Sequence, residues 1–524
     1  MDLSPDDRPA LRSLRREILA ARQRVYAAGS PTPLERLVLE NKTTLLIKRE
    51  DLSPIKAYKW RGAYNRMAVL SADQLAAGVI TASAGNHAQG VALAARLLGC
   101  RATIFMPRST PQVKQDAVRE QGGDRVTIKL HGDAYDDALS AALEESKQLG
   151  LTYIHAYDDP LVMAGQGTLA DEIATAGTPP IDVAFLQIGG GGLAAGVGAW
   201  LKLIYPKIKL IAVEGVGQAC YQAAAQAGHP VRLAELDLFC DGTAVREIGH
   251  HPFELLPHLI DESVTVTNEE VTEAIRFCWN RLRCIPEPSG AMGLAAYRKN
   301  APAYAGKTVL TLLCGANMDF GKLGLIASQA GSGQGRRFHW EIPIPERPGA
   351  MLALLEKGIA GTSIHSFLYG KVDAQGAWPI FGFCADDPEK EALATRLRTH
   401  GYTFREVGEA VDVQTGTIPY RPDLFSHPAF LLLDFYERPG ALYDFLDQTI
   451  RGKANFCFFQ YHYSGERIGR ALIGLEFSTP AEREHFLAHL PASGQGFRRC
   501  ARVDPDTTRR LLAKPREEGE EIMN

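Results

Sequence analysis

The sequence lacks what would mark a membrane, nucleic-acid or secreted protein. Its most apolar stretches, such as 91–98, are too short or too interrupted to span a bilayer. No dense basic block disturbs a balance of 57 Lys and Arg against 61 Asp and Glu, net −4, so nucleic acid is not the expected partner. The 9 cysteines are dispersed and form no C-x-x-C pair. They read as reduced, mostly buried thiols, which suits the cytoplasm. The opening M-D-L-S-P-D-D-R-P-A-L-R-S-L-R-R-E has no apolar core and is not expected to act as a secretory leader. What remains is a soluble globular composition, 45% hydrophobic and 23% charged, on 524 residues, enough for two to four domains.

From about Thr43 to Ala327, apolar β-rich runs alternate with Ala- and Leu-rich helical stretches. T-T-L-L-I-K, G-V-I-T-A-S, A-T-I-F-M-P, D-V-A-F-L-Q-I, I-K-L-I-A-V-E and T-V-L-T-L-L-C read as strands buried on both faces. Such unbroken runs belong to parallel sheets covered by helices, so an α/β catalytic domain is predicted over 1–326. Helices are expected over 90–98, 135–148 and 268–282. The last is preceded by Thr267 and carries Glu270, the pair of a capping box.

Residues 327–337, A-S-Q-A-G-S-G-Q-G-R-R, are small, polar and glycine-rich and read as a linker. A repeat follows. Glu346-Arg347-Pro348-Gly349-Ala350 recurs as Glu437-Arg438-Pro439-Gly440-Ala441, at an offset of 91. At an offset of 92, Phe367 matches Phe459, Tyr369 matches Tyr461, Gly382 matches Gly474 and Pro388 matches Pro480. Each copy reads as a ferredoxin-like βαββαβ unit, one over 338–425 and one over 426–515. Residues 516–524 read as an acidic tail.

Three local patterns carry chemistry. Lys59 follows a strand and a turn containing Pro54, and opens K-W-R-G-A-Y. A lysine that binds an aldehyde must offer a neutral amine from a partly desolvated pocket; the plain alternative is a surface lysine at a helix start. Lys56, without the R-G-A continuation, reads as solvated. In S-A-G-N-H, Ser83 to His87, the glycine permits a tight turn whose free N–H groups suit a carboxylate. Asn86 there reads equally as a helix cap and His87 as a core residue. Gly189-Gly190-Gly191-Gly192-Leu193 lies between a buried strand and a helix, where side-chain-free N–H groups converge on a phosphate; a flexible turn is the alternative. Cys314 ends a buried strand and is either a functional thiol or a structural one. Glu287, in E-P-S-G-A, stands near the site or caps the next helix.

The order and spacing of these patterns resemble the fold-type II pyridoxal-phosphate enzymes, and most closely the biosynthetic threonine dehydratases with two C-terminal ACT-like regulatory repeats. The resemblance implies pyridoxal 5'-phosphate as cofactor, bound as a Schiff base to Lys59. It implies Asn86 on the cofactor's ring hydroxyl, Gly189, Gly190, Gly191, Gly192 and Leu193 at its phosphate, and Cys314 facing its ring nitrogen. Ser83, Ala84, Gly85, Asn86 and His87 would wrap the substrate carboxylate. The implied reaction turns L-threonine into 2-oxobutanoate and ammonia for isoleucine synthesis. Isoleucine, and with it valine, would act on the repeats near Gly349 and Gly440, in a cytoplasmic homotetramer. A catabolic serine or threonine dehydratase, a β-replacement enzyme and a non-catalytic amino-acid sensor are the rival readings.

The chain departs from the family pattern at Ala57-Tyr58-Lys59, usually Ser-Phe-Lys, and at Trp60, usually a smaller aliphatic residue. Ala84 stands where related racemases carry a serine that reprotonates the substrate, which favours dehydration. Relatives that bind a cation have a second acid where Cys220 follows Glu214 here, so no metal is expected.

Overall fold

A computed structural model describes residues 8–329, 336–362, 364–408, 410, 413, 416–436, 441–462, 468–494 and 497–512. The chain forms two compact units, Met1–Gln329 and Ala330–Asn524.

The first unit contains two sheets. In the larger, the strands run in the order Leu34–Val38, Thr44–Arg49, Thr308–Leu313, Val183–Gln187, Lys209–Gly215 and Glu262–Val266. All neighbours are parallel except the first pair. Alternate residues of the central strands feed two cores. Leu46, Ala184, Leu186, Leu310 and Leu312 pack on one face, and Leu45, Ile47, Val183, Phe185 and Val309 on the other. This explains the unbroken apolar runs, because a strand covered on both sides has no polar face.

The smaller sheet is parallel throughout, in the order Val126–Leu130, Ala102–Met106, Val79–Ala82 and Thr152–Tyr153. The helix expected from Gly90 begins four residues earlier and spans Asn86–Leu98, with Gly85 before its first turn. The capping box forms as read. Thr267 Oγ1 accepts from Glu270 N at 3.3 Å, and Glu270 Oε2 from Thr267 N at 2.9 Å.

Part of the stretch read as a linker is regular structure. The helix Phe320–Gln329 runs through Ala327, Ser328 and Gln329, residues that extend a helix readily, and a strand begins at Arg336. Residues 330–335 and the acidic tail lie outside the described residues.

The second unit is built on an eight-stranded antiparallel sheet, with a separate two-stranded pair of Ile344–Pro345 and Gly376–Ala377. The large sheet is ordered Arg405–Glu406, Arg336–Glu341, Ile380–Ala385, Ile364–Gly370, Asn455–His462, Ile468–Glu476, Ala429–Tyr436 and Phe497–Arg502. Each half is a ferredoxin-like unit in the order fourth, first, third, second strand, and the halves join through their second strands. The pairing there is reciprocal. Phe367 sits opposite Tyr461, and Tyr369 opposite Phe459, the residues matched by the repeat. Phe367 and Phe459 stack with centroids 4.3 Å apart. Even an irregularity is duplicated, since the first helix of each copy ends in a π-turn, at Leu354–Gly358 and at Leu446–Ile450.

Among the described residues no helix is long and apolar enough to cross a membrane. Seven of the nine cysteines are buried.

Candidate active site

The residues singled out in the first unit follow the carboxyl ends of parallel strands, where α/β sheets gather their ligand-binding loops. Ser83 to Asn86 follow Val79–Ala82, the glycine run follows Val183–Gln187, and Cys314 follows Thr308–Leu313.

Lys59 is the first residue of the helix Lys59–Met67. The turn before it is tied to the strand end at Cys314. Tyr58 N donates to Cys314 O at 3.1 Å, Ala316 N donates to Lys56 O at 2.9 Å, and Ala57 bridges Gly315. Lys56 is exposed, with a left-handed φ of 57° that turns the chain toward Lys59. The Lys59 amine donates to Ala156 O at 3.0 Å. Burial lowers its pKa to about 8, with Cys314 and Glu287 opposing the shift, so a useful fraction is neutral near physiological pH.

The helix start is held from below. Arg61 is fully buried and binds Glu50 at 2.8 Å and Glu172. Lys48 completes the cluster on Glu172 at 2.5 Å. Trp60 is fully buried against Val25, Ile55 and Leu93, with Gly29 over its ring. The larger side chain is thus accommodated in the core.

Ser83 Oγ accepts from Gly85 N at 3.2 Å, which forms the tight turn. Ala84 is partly buried beside it. Asn86 opens the helix without capping it; its amide lies between Glu287 and Asn317, at 2.8 Å from each. His87 is buried, and its Nε2 meets Ile154 O at 3.0 Å. Burial depresses its pKa to about 3, with Lys59 adding to the shift, so the ring is neutral. Its Nδ1 is buried without a hydrogen-bond partner.

In the glycine run, Gly191 has φ 90° and precedes the helix Gly192–Ile204. A Cβ on Gly190 would lie 2.2 Å from the Tyr157 ring, one on Gly192 2.7 Å from Tyr157 O, and one on Gly189 2.8 Å from Thr243 O. Among the described residues, the N–H groups of Gly189, Gly190 and Gly191 donate to no acceptor. They form a cradle at a helix N-terminus with donors to spare, as a phosphate requires. Leu193 is buried in the first turn behind it.

The segment Ile154 to Asp158, which sequence reading passed over, brings the three patterns together. Ile154 O meets His87, Ala156 O accepts from Lys59, and Tyr157 lies against Gly190. His155 Nδ1 accepts from Tyr157 N at 3.2 Å and Asp158 N at 2.8 Å, which shapes the segment. No sequence signal marks it, apart from its place after a strand.

Cys314 is buried, and burial pushes its thiol well above the ordinary range, so it is a neutral group. Glu287 resolves its two readings: its side chain does not cap the helix Pro288–Lys299 but accepts from Asn86. Glu214 accepts from Tyr221 N at 2.7 Å and Gln222 N at 2.9 Å, at the start of the helix Cys220–Ala227. An amine with a lowered pKa, a neutral buried thiol and an open N–H cradle in one site fit pyridoxal phosphate.

The chain is similar to known proteins along most of its length. The profile of pyridoxal-phosphate dependent enzymes matches residues 25–315, and that of the C-terminal regulatory domain of threonine dehydratase matches residues 425–506. L-threonine dehydratase biosynthetic IlvA of Haemophilus influenzae is 37% identical over 89% of this chain and 92% of its own. The Escherichia coli protein of the same name is 37% identical over 86% and 89%. Among solved structures, the processed form of threonine deaminase isoform 2 from Solanum lycopersicum has 42% identity and a TM-score of 0.57, covering 61% of this chain and 93% of that one. The chain is therefore a pyridoxal-phosphate-dependent enzyme and belongs to the biosynthetic threonine dehydratase family.

In the second unit, Gly349 precedes the short helix Ala350–Ala353 with φ 83°. A Cβ there would meet nothing, so the left-handed backbone is what calls for glycine. Gly440 lies outside the described residues.

Proposed function

We propose that the chain dehydrates L-threonine to 2-oxobutanoate and ammonia, with Lys59 as covalent anchor of the cofactor and as the base at Cα. The observation that carries this reading is the convergence of Lys59, the S-A-G-N-H turn and the glycine cradle on the one segment Ile154 to Asp158. Pyridoxal phosphate, when bound, supplies an electron sink for the charge left at Cα. Lys59 would take the Cα proton, and its lowered pKa keeps the amine neutral for that task. Ser83, Ala84, Gly85, Asn86 and His87 hold the substrate carboxylate through the turn, with the His87 side chain fastening that turn to Ile154. Asn86 meets the ring oxygen, and Gly189 to Leu193 hold the phosphate. Cys314 would face the ring nitrogen and, as a neutral thiol, would leave it largely unprotonated. With a proton gained, the β-hydroxyl would leave as water, and the resulting enamine would tautomerise to an imine that a water molecule hydrolyses to the keto acid and ammonia. Ala84 offers no hydroxyl to return a proton to the opposite face.

Isoleucine, with valine as a second ligand, is the proposed effector of the second unit, and Gly349 and Gly440 are its proposed turns. We further propose a cytoplasmic homotetramer; dispersed, mostly buried cysteines suit a reducing compartment. Steady-state assay with L-threonine, L-serine and an added thiol, each with and without isoleucine or valine, tests the reading. Turnover fastest with threonine and inhibited by isoleucine is expected. Preference for serine, thiol incorporation, or no turnover at all would favour the rival readings.

A further inference from the structure

Asn317, three residues beyond Cys314, closes a hydrogen-bonded chain that begins at a backbone carbonyl. Its Nδ2 donates to Ile55 O at 2.7 Å and to Asn86 Oδ1 at 2.8 Å. A backbone carbonyl only accepts, so the Asn317 nitrogen must face Ile55. The second proton on that nitrogen obliges Asn86 to turn its oxygen toward Asn317. The Asn86 nitrogen then faces Glu287, whose Oε1 accepts at 2.8 Å. One of the two Asn86 N–H groups is consumed and the other is left available.

Glu287 is built into its place. It is 4% exposed, and its backbone N–H donates to Gly315 O at 3.0 Å. A Cβ on Gly315 would lie 2.6 Å from Oε1, and one on Gly242 3.3 Å from it, so two glycines make room for this carboxyl group.

We infer that Glu287 and Asn317 are positioning residues that lock the Asn86 amide in the one orientation leaving a donor N–H for the ring oxygen of pyridoxal phosphate. The inference rests on the assignment of Asn86 to that oxygen made above. Asn317 reversed would set its oxygen against Ile55 O, and Asn86 reversed would set its nitrogen against the Asn317 nitrogen, at a buried site where an unmade hydrogen bond is costly. The charge on Glu287 is a second handle on the same oxygen. Burial, then Asp241, pushes its pKa up to about 8, while the Asn86 contact, Lys114 and Lys322 pull it down. Tyr58, Lys59, Cys240 and Cys314 are the other titratable groups around it. Neutral or ionised, Oε1 accepts from Asn86, so ionisation alters the field at the ring oxygen while the amide stays in place.

The test is pyridoxal phosphate binding to the apoenzyme, followed by visible absorbance, in Asn86→Ala, Glu287→Gln, Glu287→Ala and Asn317→Asp. Glu287→Gln keeps an acceptor and should bind the cofactor as the unaltered enzyme does. Glu287→Ala and Asn317→Asp should each weaken binding on the order of tenfold, the worth of one buried hydrogen bond, and shift the band. The band of the unaltered enzyme should titrate near pH 8, where Glu287 ionises, and that titration should vanish in Glu287→Gln. If Asn86→Ala weakens binding but Glu287→Ala and Asn317→Asp do not, the clamp is refuted while Asn86 keeps its role. If Asn86→Ala changes neither affinity nor band, the assignment of Asn86 itself is wrong. Should the alanine and aspartate variants fail to fold, the glutamine titration alone decides: a band that still moves near pH 8 overturns the role of Glu287.

Discussion

Arg61 and Glu172, 111 residues apart in sequence, meet as a fully buried ion pair beneath the helix that begins at Lys59. Glu50 takes the other edge of the same guanidinium, and Thr168 accepts from it at 3.2 Å. The arginine of K-W-R-G thus fixes the height and rotation of the helix, while Gly165 lets a neighbouring helix approach to where a Cβ would lie 2.5 Å from Arg61 O.

Removing one partner of such a cluster strands the others. Arg61→Ala should cost about 3–5 kcal/mol, because Glu50 would lose its buried cation and Glu172 would keep Lys48 alone. Urea unfolding of the first unit's transition measures it. A loss below about 1 kcal/mol would mean that water or Lys48 takes over the role.

The glycine cradle makes a steric prediction. Gly190→Ala places a Cβ 2.2 Å from the Tyr157 ring, too close to tolerate without movement. Cofactor affinity should fall by on the order of tenfold or more, and Tyr157→Ala in the same chain should restore part of it. An unchanged affinity in the single variant would show that the run is not the phosphate site.

How far the sequence could be read follows from the range of each interaction. The strands over 44–49, 183–187 and 308–313 announce themselves as apolar runs, and Thr267 with Glu270 as a capping box, because both signals are local. The repeat showed itself through matched residues, and the reciprocal pairing of Phe367 and Tyr369 with Tyr461 and Phe459 follows from that symmetry. Lys59, Asn86 and the glycine run were legible by type and spacing. The segment Ile154 to Asp158 was not, since its carbonyls do the holding and a carbonyl leaves no mark on sequence. Nor were the partners of Arg61, which come from the turn at Glu50 and the helix Pro160–Thr175, or those of Asn86, which come from loops more than two hundred residues away.

The electronic role assigned to Cys314 predicts an asymmetry between two substitutions. Cys314→Ser should stay active, because a hydroxyl makes the same neutral contact. Cys314→Asp should put a negative charge at the ring nitrogen, favour its protonation and lower kcat by on the order of tenfold or more. If Ser abolished cofactor binding while Asp preserved turnover, the ring nitrogen would need a charged partner.

Lys59 also makes a pH prediction for the apoenzyme. Its amine is held at about 8 instead of its ordinary value of 10.5, and only the neutral form attacks an aldehyde. The rate of cofactor uptake should therefore climb about tenfold per pH unit below that value and level off above it. Stopped-flow absorbance gives the profile. A rate still climbing at pH 10 would show an amine that the pocket does not perturb.

The most direct measurement is borohydride reduction of the cofactor-loaded enzyme, followed by peptide mapping by mass spectrometry. Lys59 as anchor predicts the phosphopyridoxyl mass on that residue alone, with Lys56→Ala labelled normally and Lys59→Ala unlabelled. Label on Lys56, or full label and turnover in Lys59→Ala, would contradict the account.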